Sequence, residues 1–538
     1  MFVQELEPVG DSLGLSALVA TLPLLTALVL LGAVRMKAHR AGLIGLGVAA
    51  AVAWLGYGMP LGQTASSAAQ GAVFGLFPIL WIVVNALWVY RMTVRTRHFD
   101  ILRRSFGRLS DDPRIQALVI AFCFGALLEA LAGFGAPVAI CSVMLVALGF
   151  DPVRAAVVAL VANTAPVAFG AMGTPVVTLA QVTGLPLDTV ATVVGRQTPL
   201  LALVVPLLLV ALVDGARGLR ETWVPAAVCG LAFAAAQFAA SNYVSAQLAD
   251  IAAALAGAGA LVAVPGARRP AAEPVRAAVL TGARSDDLDH DDPRADVVRA
   301  YTPYALIVVI FSIAQIPPVK DFLARATRTV DWPFLDVGDP AGDPVGGNVL
   351  ALPLVSTGGT LVLLAGAGTA AVLGVHARVA AREWAATVRE LRFAILTVTS
   401  VLALAYVMNL SGQAATIGHL VADAGSGLAF LSPVLGWFGV AVTGSDTSAN
   451  ALFGSLQVTA AEQSGLSPEL LAAANSSGGV LGKMISPQNL TIACAAVGLA
   501  GKEGDLLRKV LPWSVGLLLV MCLVVVGQST AVLGWMLP

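Results

Sequence analysis

Charge is scarce in this chain. Of its 538 residues only 12% are Asp, Glu, Lys or Arg, about half the share of an ordinary soluble domain. The 31 basic and 32 acidic residues leave a net charge of −1. So few charges cannot clothe a water-facing surface, and near-neutrality removes the electrostatic case for a nucleic-acid partner. The five histidines (His39, His98, His290, His376, His419) are scattered through loops and helix ends, so no metal-ligand set is expected. The five cysteines (Cys123, Cys141, Cys229, Cys494, Cys522) all lie in apolar stretches and read as small packing residues. No Gly-x-x-x-x-Gly-Lys-Ser/Thr loop occurs, which removes support for ATP-driven pumping, and no cofactor is expected. No polar stretch is long enough to fold as a catalytic or signalling domain, so an enzyme is not expected.

What is present is apolar sequence: 58% hydrophobic residues and a mean hydropathy of +0.85. A membrane-spanning helix needs about 20 such residues. Spans are expected at 12–34, 41–58, 68–90, 198–213, 222–240, 246–264, 301–316, 349–374, 391–410 and 510–531. The first reads as a spanning helix rather than a cleaved signal peptide, because no basic segment precedes it. Four further apolar stretches, 115–150, 154–183, 427–461 and 468–500, are interrupted by Gly, Pro and polar residues. Basic residues stay on the cytoplasmic side, and clusters follow the first span (Arg35, Lys37, Arg40), the third (Arg91 to Arg114) and 349–374 (Arg378 to Arg392). One topology places them all inside. It makes 115–150 and 427–461 re-entrant hairpins and 154–183 and 468–500 broken helices, with twelve crossings and both termini outside. The fold class is all-α and polytopic, in a bacterial inner membrane. Residues 265–300, rich in Asp and Pro, read as a cytoplasmic linker, and 317–348 as an external loop.

The chain also repeats itself. Ala162 and Ala474, Asn163 and Asn475, Gly170 and Gly482, Met172 and Met484, and Pro175 and Pro487 each lie 312 positions apart, as do Arg196 and Arg508; Gly133 and Gly444 lie 311 apart. Several blocks on nearly one diagonal argue for internal duplication. In the topology above the two units enter from opposite sides. Inverted repeats with paired, interrupted helices are a mark of secondary transporters, and the interruptions point to the binding site. A break frees backbone groups that lipid cannot satisfy, and helix N-termini exposed there favour anions. The chain divides accordingly into scaffold helices at 1–64, a first repeat at 65–215, scaffold helices at 216–348 and a second repeat at 349–538.

Some residues in these units can carry chemistry. Glu129 lies deep in an apolar run, where a carboxylate is costly unless paired, hydrated or protonated. The bland alternative is a neutral carboxyl joining two helices. Asp446 sits in a polar patch, Thr443 to Asn450, inside the second hairpin; the alternative there is an ordinary external loop. Both acids are candidates to carry a coupled proton. Lys483, in the second broken helix, could pair with a substrate carboxylate or with a hairpin acid, or it could snorkel to the membrane surface. Asn163, Thr164, Asn475, Ser476 and Ser477 open the two breaks, and Gly133 and Ser445 mark the hairpin tips. These complete the candidate substrate site, with helix–helix hydrogen bonding as the competing role.

At these motifs the chain resembles the lactate permease family. The stretches that carry the resemblance are Glu129–Ile140, Asn163–Gly170, Gly195-Arg196-Gln197, Thr443–Gly454 and Asn475–Gln488. Ala130 departs from the Gly expected of the family at that place. The resemblance implies uptake of L-lactate, together with D-lactate and glycolate, by proton symport. It also implies an elevator-like motion against a scaffold, including 12–58 and 222–316, that forms a homodimer. The residues alone leave two alternatives open: a sodium- or proton-coupled transporter of another small carboxylate, or a cation/proton antiporter using Asp446 and Glu129.

Overall fold

A computed structural model describes residues 1–107, 109–133, 135–264, 280 and 292–538. Phe134, Arg108 and most of the expected linker, 265–279 and 281–291, lie outside the described residues. The chain is mostly helical, and the described residues include two short two-stranded sheets (β-pairs of Phe2–Val3 with Val337–Gly338, and of Thr327–Asp331 with Val349–Pro353). Among the described residues ten helices are long and apolar enough to cross a membrane, or eleven if the bent pair Pro152–Ala162 and Val167–Thr183, inclined at 65°, counts as one span.

Several expected boundaries change. The span at 349–374 begins late: Val349–Pro353 is a strand, and the helix runs only over Gly358–Val372. The apolar, β-branched start of that run pairs with Thr327–Asp331 instead of continuing the helix. The expected spans 198–213 and 222–240 stay distinct: the helical run Leu187–Tyr243 is broken at Asp214 and Gly215 (φ 61, ψ −148), with a further non-helical residue at Thr222. Ion pairs hold the polar residues of this break: Arg114, 4% exposed, binds Asp112 (2.8 Å), Asp214 (3.1 Å) and Glu221 (2.7 Å). The end of the expected linker is also helical, since Arg294–Ala314 starts within it behind Pro293. Residues 317–348, expected as a loop, carry a short helix, Pro317–Ala324, as well as strand residues.

The two interrupted regions fold as paired units. In the first, Pro113–Ala132 is followed by Ala136–Ala147, with Gly135 at the start of the second arm in the left-handed region at φ 87. The two arms pack together: the Cys141 thiol donates to the Ile120 carbonyl at 3.2 Å. Pro152–Ala162 follows, then a break, then Gly170–Thr183. In the second, Leu428–Thr443 turns at Gly444 (φ 76) into Asp446–Ser464, followed by Pro468–Gly482, a short 3-10 turn at Lys483–Ile485, and Pro487–Ala496. Leu428–Thr443 and Pro468–Gly482 touch backbone to backbone. Gly436 lies against the Asn475 carbonyl, Gly478 against Pro433 and Gly482 against Trp437, all closer than a Cβ would permit. Small residues of this kind are how helices associate where lipid removes the hydrophobic drive. Helices Leu13–Gly32 and Ala38–Ala51 pack against Gln413–Ala422 and Arg392–Leu410 respectively, around an apolar core separate from that of the first unit.

Candidate substrate site

The site forms where the tips of the two paired units meet. The first break is strained backbone. Ala171, Met172 and Gly173 are all left-handed (φ 45, 59 and 72), a conformation that Ala and Met rarely adopt. This reversal leaves Gly170 directly over Glu129, which sits one turn before the first tip. A Cβ at Gly170 would lie 2.8 Å from Glu129 Oε1, and one at Gly133 3.2 Å from the same atom. Two glycines therefore clear the space the carboxylate occupies. The second break delivers Lys483 from the opposite side. Its Nζ donates to Glu129 Oε1 at 2.5 Å, and Asn163 Nδ2 donates to Oε2 at 3.0 Å. Glu129 is 2% exposed and Lys483 6%. A buried charge of either sign is tolerable only when paired, and here each is paired with the other across 354 residues of sequence.

Asp446 stands across the cavity from this pair. Ser445 caps its helix by accepting from the Ser448 amide. Asp446 Oδ2 accepts from Ser476 Oγ at 2.7 Å and from Asn450 Nδ2 at 3.5 Å, while the buried Oδ1 has no hydrogen-bond partner. Asn450 Nδ2 also donates to the Pro175 carbonyl (3.1 Å), which ties the second hairpin to the first break. Between the two acids lies a cavity of about 60 Å³ lined by Glu129, Gly133, Gly170, Thr174, Gly444, Ser445, Asp446, Lys483 and Gln488, among others. A single water needs about 10–15 Å³ on this measure, so the space suits a group of only a few heavy atoms. Gln488 and the neighbouring Thr443 also line a second, wider cavity of about 750 Å³, together with Arg35 and Glu503.

The family description "L-lactate permease" matches residues 16–532. The chain belongs to the L-lactate permease family. It is 41% identical to the L-lactate permease of Bacillus subtilis (strain 168) and 40% identical to that of Escherichia coli (strain K12), in each case over 100% of both chains. It is also 40% identical to the glycolate permease GlcA of Escherichia coli (strain K12), over 93% of each. Among solved structures, the YdaH transporter of Alcanivorax borkumensis aligns over 87% of this chain and 88% of its own at 16% identity and a TM-score of 0.45. MtrF of Neisseria gonorrhoeae aligns over 87% and 84% at 13% identity and a TM-score of 0.46.

In this L-lactate permease family member the residues singled out in sequence fall into two layers. Glu129, Gly133, Ser445, Asp446 and Lys483 line the small cavity. Asn163, Ser476 and Asn475 stand behind them: Asn163 and Ser476 hold the two acids, and Asn475 donates to Asn450 Oδ1 at 2.9 Å while accepting from Gln457 at 3.3 Å. Thr164 and Ser477 do not reach the cavity. Thr164 donates to the Val161 carbonyl at 2.6 Å, and Ser477 Oγ is buried without a partner. Sequence reading missed Thr174, Gly170 and Gln488 as lining residues, although the 312-residue repeat runs through Gly170 and Thr174. It also missed Asp250. This carboxylate, 0% exposed, accepts from Gln237 Nε2 at 3.1 Å, and the same nitrogen donates to the Ala165 carbonyl freed by the first break (3.3 Å).

Proposed function

We propose that this protein imports L-lactate, with D-lactate and glycolate as further substrates, together with a proton across the bacterial inner membrane. The observation that carries this reading is the Glu129–Lys483 pair closing one wall of a cavity sized for a small acid. The coupling follows from charge. In the empty site Lys483 and Glu129 cancel. Lactate binds by placing its carboxylate on Lys483 Nζ, and Glu129 must then take up a proton and let go. The loaded site holds one ammonium, one lactate carboxylate and one neutral acid, and is again uncharged. Lactate alone would leave a buried net charge of −1, and a proton alone +1. Either costs several kcal/mol in a low-dielectric interior, so only the fully loaded and the empty forms move. Glu129 is preferred over Asp446 as proton carrier because Glu129 alone of the two is hydrogen-bonded to Lys483.

Asp446, which lines the same cavity, supplies the acceptor for the 2-hydroxyl of the substrate in this scheme, which fits a 2-hydroxy acid better than a plain monocarboxylate. The wide cavity beside Arg35 and Gln488 then serves as the cytoplasmic vestibule, since the basic residues place that face inside. The two paired units are inverted repeats whose tips are re-entrant hairpins, and they carry the site across the bilayer in an elevator-like motion against a scaffold, as a homodimer with both termini outside. A cation antiporter on the same frame is disfavoured by Lys483, which puts a fixed positive charge against any bound cation. The test is uptake of radiolabelled L-lactate into proteoliposomes with and without an inward proton gradient, and with and without sodium. Accumulation that follows the proton gradient alone supports the proposal; accumulation that requires sodium and ignores the proton gradient refutes it.

A further inference from the structure

The helix Ala377–Glu390 has the make-up of a segment lying along a membrane surface rather than crossing it. Ala380, Trp384, Thr387 and Val388 turn inward, whereas Arg378, Arg382 and Arg389 are exposed. Its acids are already engaged: Glu383 with Arg91 (3.4 Å) and Arg95 (2.8 Å), and Glu390 with Arg91. Arg378 and Arg382 have no ion pair among the described residues. One face of this helix, at Ala377, Ala380, Ala381 and Trp384, forms the wall of a cavity of about 520 Å³ completed by Trp81 and Trp88. The cavity reaches the surface at the exposed residues Ala377 and Ala381. All three indole N–H groups are committed within the protein, Trp81 to Thr360 Oγ1 (3.1 Å), Trp88 to the Ala380 carbonyl (2.9 Å) and Trp384 to Asn85 Oδ1 (2.9 Å). The rings therefore present only apolar surface to the cavity. Arg378 and Arg382, four apart and exposed, form a basic stripe on the helix next to the stripe of Ala377 and Ala381 where the apolar, aromatic chamber reaches the surface.

We infer that this chamber binds an anionic phospholipid, with an acyl chain between Trp81, Trp88 and Trp384 and the phosphate on Arg378 and Arg382. The charge argues for the occupant, since a zwitterionic lipid gives two unpaired guanidinium groups little net attraction, whereas each cation near an anionic lipid headgroup contributes about a fivefold gain in affinity. The position agrees, because a basic amphipathic helix with aromatic residues on its apolar face lies at the headgroup level. The chamber shares no lining residue with the cavity between Glu129 and Asp446, and the inference does not depend on how lactate is handled.

Native mass spectrometry of the whole protein in a neutral detergent tests this, titrating phosphatidylglycerol, phosphatidylcholine with the same chains, and glycerol phosphate as a chainless control. Phosphatidylglycerol should bind at a saturable stoichiometry, while phosphatidylcholine and glycerol phosphate should not. Arg378→Ala/Arg382→Ala should weaken that binding roughly thirty-fold, the product of two such contributions. Ala381→Leu, which narrows the mouth without changing charge on an exposed helix face, should weaken it as well. Equal binding of the two lipids, or unchanged phosphatidylglycerol binding in either variant at wild-type thermal stability, overturns the inference.

Discussion

Glu129→Gln separates the charge logic of the site from its shape. Gln keeps the side chain's size, accepts from Lys483 through its one oxygen and donates to Asn163 Oδ1 once that amide flips, in place of the bonds that hold Glu129 at 2.5 and 3.0 Å, but it carries no negative charge and takes up no proton. The lactate-loaded form of the variant remains neutral, because lactate itself balances Lys483. The empty form does not, because a buried ammonium is left without a counter-charge, at a cost of about 3–5 kcal/mol. With about 1.4 kcal/mol per tenfold in rate, return of the empty carrier should slow by roughly two to four orders of magnitude. The variant should therefore lose net uptake driven by a proton gradient and yet keep exchange of external labelled lactate for internal unlabelled lactate, since exchange never requires the empty form to cross. Lactate binding to the wild type should weaken by about tenfold for each pH unit of rise where one proton enters with each lactate, and that dependence should vanish in Glu129→Gln. A second variant controls for simple misfolding. Glu129→Gln/Lys483→Gln restores neutrality to the empty site and should recover thermal stability without recovering transport. Proton-driven net uptake by Glu129→Gln at the wild-type rate would refute the reasoning.

Other consequences can be checked with the same preparations. Asp446→Ala removes the acceptor assigned to the 2-hydroxyl, so competition assays should show lactate losing roughly two- to tenfold of its advantage over propionate, the range for a hydrogen bond between neutral groups. Gly478→Ala forces a Cβ into the Pro433 backbone and should cost about 1–3 kcal/mol, read as a lowered melting temperature, whereas Gly259→Ala, with nothing within 4 Å of its added Cβ, should leave melting unchanged. Asp250→Asn should retain uptake within about threefold because it still accepts from Gln237, whereas Asp250→Ala strands that buried amide and should destabilise by about 1–3 kcal/mol.

Much of this arrangement could be read from residue order because the membrane makes exceptions conspicuous. An acid in an apolar run, as at Glu129, or a polar cluster between apolar flanks, as at Thr443 to Asn450, has few bland explanations where water is absent. The break after Asn163 is marked twice, by composition and by repetition, whereas Asn475, Ser476 and Ser477, expected to open the second break, lie inside the helix Pro468–Gly482 and the chain breaks only at Lys483–Ile485. What escaped notice depended on partners far away in sequence. Asp250 stands near the end of an apolar stretch, where an acid ordinarily reaches headgroups or water, and only the fold shows it sealed against Gln237. The chain does break at Asp214 and Gly215, as the polar residues of 214–221 suggest, but only the fold shows Arg114, a hundred residues earlier, neutralising two of them. The left-handed turn at Ala171 and Met172 runs against the preference of both residues, so local propensity points away from it; the packing of Gly170 over Glu129 and of Gly173 against Ala246 overrides that preference. Val349–Pro353 shows the reverse error, since apolarity alone does not distinguish a strand paired outside the helices from the first turn of a span.

The placement of the ion pair explains why both halves of the chain are needed. Glu129 is held by the first hairpin and the first break, Lys483 by the second break, and the Asn450 amide bridges the second hairpin to the Pro175 carbonyl in the helix after the first break. No single half contains a neutral site: the first alone would bury an acid, the second a cation. The halves are thus locked in register by the electrostatics that must be satisfied before either can face lipid. A substrate that replaces Glu129 at Lys483 takes over that lock without breaking it, provided a proton arrives on Glu129 at the same time. On this view the pair is both the bond that holds the two units together when empty and the selector for a small acid, and a larger anion fails because the Gly133, Gly170 and Gly444 backbones leave it no room between the tips.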